Sequence, residues 1–165
     1  FAEKHPDLLK GLGVFHSHPY ADSEEKKENR YKGIDFIQRQ GHQLFVKQLI
    51  PKLFAPYFAR SNRFLIDKLI HKASGYNPEG IIQGQKAMAE RPDQSDVLRN
   101  IKVPVLFIIG EKDGAITMEQ SMNQTSLPEI SDVHVMEKVG HMGMFEAKRK
   151  TQLMVRKFVS YCYEQ

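Results

Sequence analysis

The 165-residue sequence has no tryptophan, one cysteine and no long apolar run. A lone cysteine, Cys162, excludes an internal disulfide and any multi-cysteine metal site, and it fits a reducing, cytoplasmic setting. The longest apolar stretch, residues 103–109, is far short of the roughly 20 residues that a membrane span needs. The opening FAEKHPDLLK carries neither an initiator methionine nor the basic-then-apolar pattern of a secretion signal. Charge of one sign is also lacking. The 24 Lys and Arg are interspersed with 20 Asp and Glu, as in SEEKKENRYK and FEAKRK, so the net charge of +4 reads as a solvated surface and not as a nucleic-acid footprint. No RNA-binding aromatic motif or zinc-finger spacing points the other way. What the sequence does have is ordinary globular material, 41% hydrophobic and 27% charged, which argues against disorder.

Patterning divides the chain into a strand-containing start, a helical middle and a strand–helix alternation at the end. FAEKHPDLLK reads as the tail of a helix, followed by the short apolar run GLGVF. From Asp22 the spacing predicts only helices. The first has Asp22 as N-cap and Glu25 as its capping-box partner, with Tyr31, Ile34 and Ile37 on one face, and it closes at Gly41. A second helical piece is interrupted at Pro51, a third runs from a Ser61 cap to Gly75, and a fourth opens on Asn77–Pro78. After Pro92 comes VPVLFIIG, a continuous β-branched run of the kind buried on both faces of a parallel sheet. TMEQSMNQTS is a helix with Thr117 and Gln120 as its box, DVHVMEKVG is another strand, and MFEAKRKTQLMVRKFVSYCYEQ is a long terminal helix. The expected architecture is an α/β parallel sheet, in residues 1–21 and 92–165, interrupted by an all-helical insertion at 22–91.

Two residues stand just past consecutive predicted strands. Asp113 lies in GEKDGA, after residues 103–110, and His141 lies in KVGHMG, after the strand that begins at Asp132. Ligands in open parallel sheets bind beyond the carboxyl ends of the strands, so both side chains are placed over one edge. A carboxylate that accepts from one imidazole nitrogen fixes the tautomer and leaves the other nitrogen free to take a proton. Taken singly, an Asp in a glycine turn is more often a turn former; the order Asp then His is what gives the pair weight. Other candidates are weaker. Ser17, at the end of the first strand, lacks a tight glycine turn and is placed only at the pocket edge. His16 and His18 form an H-x-H pair without carboxylate or cysteine company, too little for a metal site. Met142 and Met144 flank His141, either as pocket wall or as core filling.

VPVLFIIGEKDGAI followed by VHVMEKVGHMGMFE, with FAEKHPDLLKGLGVFHSHPYADSEEKKENR upstream, resembles the C-terminal part of an α/β-hydrolase, closest to the carboxylesterase and enol-lactonase-like enzymes. The resemblance implies the last three strands of that fold with an inserted helical cap, and His141 as general base and acid with Asp113 as its orienting carboxylate. It also implies a helical cap covering the pocket, with Phe45, Leu49 and Phe64 contacting substrate beside Ser17 and Met142. The family's G-x-S-x-G nucleophile turn is absent from the sequence. The expectation is therefore a chain that begins downstream of its nucleophile and is inactive alone, from an enzyme acting on a small ester or lactone without cofactor, metal, nucleic acid or membrane. An aspartate nucleophile of dehalogenase or epoxide hydrolase type, and a non-catalytic binding or assembly module, are the alternatives. A free edge at Leu12–Phe15 further suggests pairing into a homodimer.

Overall fold

The computed structural model describes residues 1–164, which form two compact units: Phe1–Pro19, Leu53–Ala55 and Gln94 onward in one, Tyr20–Lys52 and Pro56–Asp93 in the other. The first unit holds a three-stranded parallel sheet in the order β1 (Leu12–Phe15), β2 (Val105–Gly110), β3 (Ser131–Met136). Leu12 lies opposite Val105 and Phe15 opposite Ile108, while Val105 to Gly110 align with Ser131 to Met136. β2 is the middle strand, and all of its residues are buried. Alternate side chains leave opposite faces of a strand. Leu106 and Ile108 therefore pack on one face with Met136, Val139, Phe158 and Cys162, and Val105, Phe107 and Ile109 pack on the other with Leu98 and Ile101. Both faces of β2 demand apolar residues, which is why its sequence shows no polar alternation. Truncating Ile108 to alanine would cost about 2–5 kcal/mol.

Helices cover those faces. α9 (Lys148–Glu164) brings Phe158 and Cys162 onto the sheet, so close that a Cβ on Gly11 would overlap Cys162 Sγ. α6 (Ser95–Asn100) supplies Leu98 to the opposite face, and Met118 of α7 (Met118–Asn123) joins the same cluster. The Thr117–Gln120 capping box that opens α7 is present in both directions. The terminal helix expected from residue 144 onward is broken instead at Ala147, which separates the short α8 (Gly143–Glu146) from α9. The opening segment is likewise not the tail of a helix. It contains a single 3₁₀ turn, Pro6–Leu8.

The second unit contains α1 (Glu24–Gln40), α2 (His42–Leu49), α3 (Pro56–Ser61), α4 (Arg63–Ser74) and α5 (Pro78–Glu90). Ile34 and Ile37 of α1 meet Ile82 of α5, with Phe45 and Ile81 packed against them. Asn77 caps α5 as its sequence suggests, and Gly41, at φ +87°, makes the corner between α1 and α2 in a conformation that favours glycine. The cap of α1 is Ser23, whose hydroxyl accepts from the Lys26 amide, and not Asp22. Asp22 is buried as an ion pair, 2.7 Å from Arg30 Nε and 3.7 Å from Arg91, with Arg30 also reaching Gln85. Burying the Asp22 carboxylate requires such partners, because an unpaired charge inside is strongly disfavoured. Likewise Ser61 closes α3, and Asn62 precedes α4. No helix among the described residues is long and apolar enough to cross a membrane.

Candidate active site

Two loops that leave neighbouring strands are held together by backbone hydrogen bonds. After β2, the Glu111 amide donates to Met136 O and the Lys112 amide to Val139 O, at 3.0 and 2.8 Å. The Lys138 amide donates in turn to the Glu111 carboxylate. Gly110 lets the loops close. A Cβ at that position would overlap the carbonyl oxygens of Gly140 and Val139. The sheet edge thus sets Asp113 and His141 within reach of each other although 28 residues separate them.

His141 Nδ1 lies 2.9 Å from Asp113 Oδ2. A carboxylate only accepts, so Nδ1 carries a proton, and in the neutral imidazole Nε2 then holds the lone pair. The other carboxylate oxygen, Oδ1, accepts from the amides of Ala115 and Ile116 at 2.8 and 3.0 Å, which fixes its plane. The Asp113 side chain is 3% exposed and that of His141 is 26% exposed, a buried acceptor behind a partly open ring. Burial pushes the Asp113 carboxyl up, but the imidazoles of His141 and His16 and the Ile116 amide outweigh it and hold the group well below the usual carboxylate range.

Sequence reasoning missed two contributors. His16 follows directly on β1, its side chain is 1% exposed, and its Nδ1 stands 3.7 Å from the same Asp113 Oδ2. Glu146 grips the loop from below: Oε1 accepts from the Gly140 amide at 3.0 Å and Oε2 from the Ala55 amide at 3.1 Å, while the His141 amide donates to Leu53 O at 2.9 Å. His16 was within reach of the rule that singled out Asp113 and His141, being the first residue past a strand end. Glu146 carries no local signal, because its partner Ala55 is 91 residues away.

The other expected site residues have their own surroundings. Ser17 is exposed, its carbonyl accepts from Gln124 Nε2, and it lines a hollow of about 210 Å³ along β1 that neither Asp113 nor His141 borders. Met142 immediately precedes α8, and its carbonyl accepts from the Phe145 and Glu146 amides. In the helical unit, Phe45 packs beside Gly33 and the isoleucine cluster, Leu49 ends α2 half-buried, and Phe64 opens α4 at 85% exposure. Among the described residues no group of three or more His, Cys, Asp and Glu side chains is arranged to hold a metal ion.

A parallel sheet with an acid past one strand, a histidine past the next and helices on both faces is the arrangement of the α/β-hydrolase fold, and this chain has the C-terminal portion of that fold. It superposes on a thermophilic esterase from Thermogutta terrifontis with a TM-score of 0.90 and 27% identity, over 98% of this chain and 60% of that one. It is also similar to the enol-lactonase of Burkholderia xenovorans, with a TM-score of 0.85 and 18% identity over 96% of this chain and 59% of that one. MenH from S. aureus gives a TM-score of 0.80 and 18% identity over 94% and 60%. The chain therefore spans about 60% of the length of the solved structures it matches. No family model and no curated protein matches the sequence.

Proposed function

We propose that this chain supplies the base and its orienting acid, His141 and Asp113, to a hydrolase that cleaves a carboxylic ester or lactone. The observation that carries the reading is the 2.9 Å contact between His141 Nδ1 and a buried, ionised carboxylate. Held so, Nε2 takes the proton of an attacking hydroxyl, and Asp113 stabilises the imidazolium that results; the same proton then passes to the leaving alkoxide. The nucleophile is assigned to a segment outside these residues, since no G-x-S-x-G turn occurs among them. Similarity to an esterase and an enol-lactonase favours a serine nucleophile and an oxygen-ester bond.

A fluorophosphonate probe tests this on the full-length protein. Covalent labelling of one serine, slowed strongly by His141→Ala, is the expected result. Absence of labelling in a folded protein that still hydrolyses haloalkanes or epoxides would replace the serine by an aspartate nucleophile, and absence of both activities would favour a binding module.

A further inference from the structure

We propose that His16 is a positioning residue, a second imidazole whose Nδ1–H faces Asp113 Oδ2 and keeps that carboxylate aimed at His141. The inference rests on the reading of Asp113 and His141 as the acid–base pair. Its own grounds are geometric. The His16 amide still donates to Ile108 O at 2.9 Å, continuing the β1 ladder, and the backbone then turns through φ +45°, which few residues other than glycine adopt. That turn carries the ring beneath the site. There its centroid lies 4.8 Å from the Phe15 ring and 5.9 Å from the His141 ring.

A side chain so deeply buried is costly when its polar atoms are unpaired, and neither His16 nitrogen has a hydrogen-bond partner among the described residues. An apolar ring would stack on Phe15 without that cost. Of the two nitrogens, Nδ1 faces the carboxylate at 3.7 Å, less than 1 Å beyond a full hydrogen bond. Nε2 faces Gly143 so closely that a Cβ there would overlap it. A proton on Nε2 would be driven toward the Gly143 backbone, whereas a lone pair tolerates a Cα–H neighbour. Sterics on one side and charge on the other both place the proton on Nδ1. Asp113 is then held by the Ala115 and Ile116 amides at one oxygen and framed by two imidazoles at the other.

Two measurements on the full-length protein test this. A long-range ¹H–¹⁵N spectrum of the imidazoles should show His16 with its proton on Nδ1; a proton on Nε2 overturns the proposal. In ester hydrolysis, His16→Phe should lower kcat about 10- to 100-fold with little change in KM, because a loosened carboxylate misplaces the base without touching substrate. His16→Asn should recover most of that loss, since its amide N–H stands near the place of Nδ1 and asparagine tolerates the positive φ. Wild-type kcat in a folded His16→Phe overturns the proposal, and so does an Asn variant no better than Phe. Should His16→Phe not fold, the spectrum and the Asn variant decide. His141→Ala, measured alongside, separates the two levels: turnover retained there removes the acid–base reading itself, whereas an inactive His141→Ala beside a fully active His16→Phe removes only the role of His16.

Discussion

Glu146 gives the sharpest energetic prediction because its two contacts are short and local to the His141 loop. Its carboxylate joins the Gly140 amide, adjacent to His141, to the Ala55 amide, at 3.0 and 3.1 Å. Hydrogen bonds to a charged acceptor contribute about 1.5–3 kcal/mol each, and a half-buried site belongs at the low end, so Glu146→Ala should lose roughly 3 kcal/mol. Glu146→Gln keeps one acceptor oxygen and turns an NH₂ toward the other amide, so about half that loss is expected. Space is too tight for simple relaxation, since a Cβ on Gly140 would already overlap Ala55 N. Urea denaturation of the full-length protein gives the global number, and hydrogen exchange at the Gly140 and Ala55 amides localises it. Turnover should fall about 10- to 100-fold as the His141 loop loosens. Unchanged midpoints together with wild-type protection at both amides would refute the clamp.

Gly110→Ala places a methyl against the Gly140 and Val139 carbonyls and should either prevent folding or displace the His141 loop; a folded variant with wild-type turnover would show that the loops close by other means. Asp113 predicts a pH dependence. Its folded pKa lies below its unfolded value of about 3.9, so its stabilisation is complete above that pH and is lost as the pH falls toward the folded pKa. The difference in urea midpoint between wild type and Asp113→Asn should accordingly shrink as the pH falls from about 5 toward 3; a difference that does not shrink there would contradict the ionised, paired carboxylate.

Much of this was legible in local sequence because its cause is local. The apolar run of β2 reflects burial on both faces, and the Thr117–Gln120 box and the Asn77–Pro78 start are short-range chemistry that needs no tertiary partner. Asp113 and His141 were legible from topology, as residues just past strand ends. What was hidden depends on partners far along the chain. Asp22 looks like a helix cap until Arg30 and Arg91 are found around it, and Glu146 looks like the first turn of a long helix until Ala55 is found beside it. Along α8 and α9 the apolar Phe145, Leu153, Val155 and Val159 are exposed, while Thr151, Phe158 and Cys162 carry the burial. In the sequence His16 stands only as half of an H-x-H pair too weak for a metal site, and only the fold shows its ring beside a carboxylate.

The central claim is that Asp113 and His141 act as one acid–base unit. Ester turnover by the full-length protein, compared with its His141→Ala and Asp113→Asn variants after each has been shown to fold, tests it most directly. Losses of about 10³-fold or more in kcat for His141→Ala, and a severe loss for Asp113→Asn because the wrong tautomer is then favoured, are the predicted results. Near-wild-type turnover in both folded variants would contradict the account.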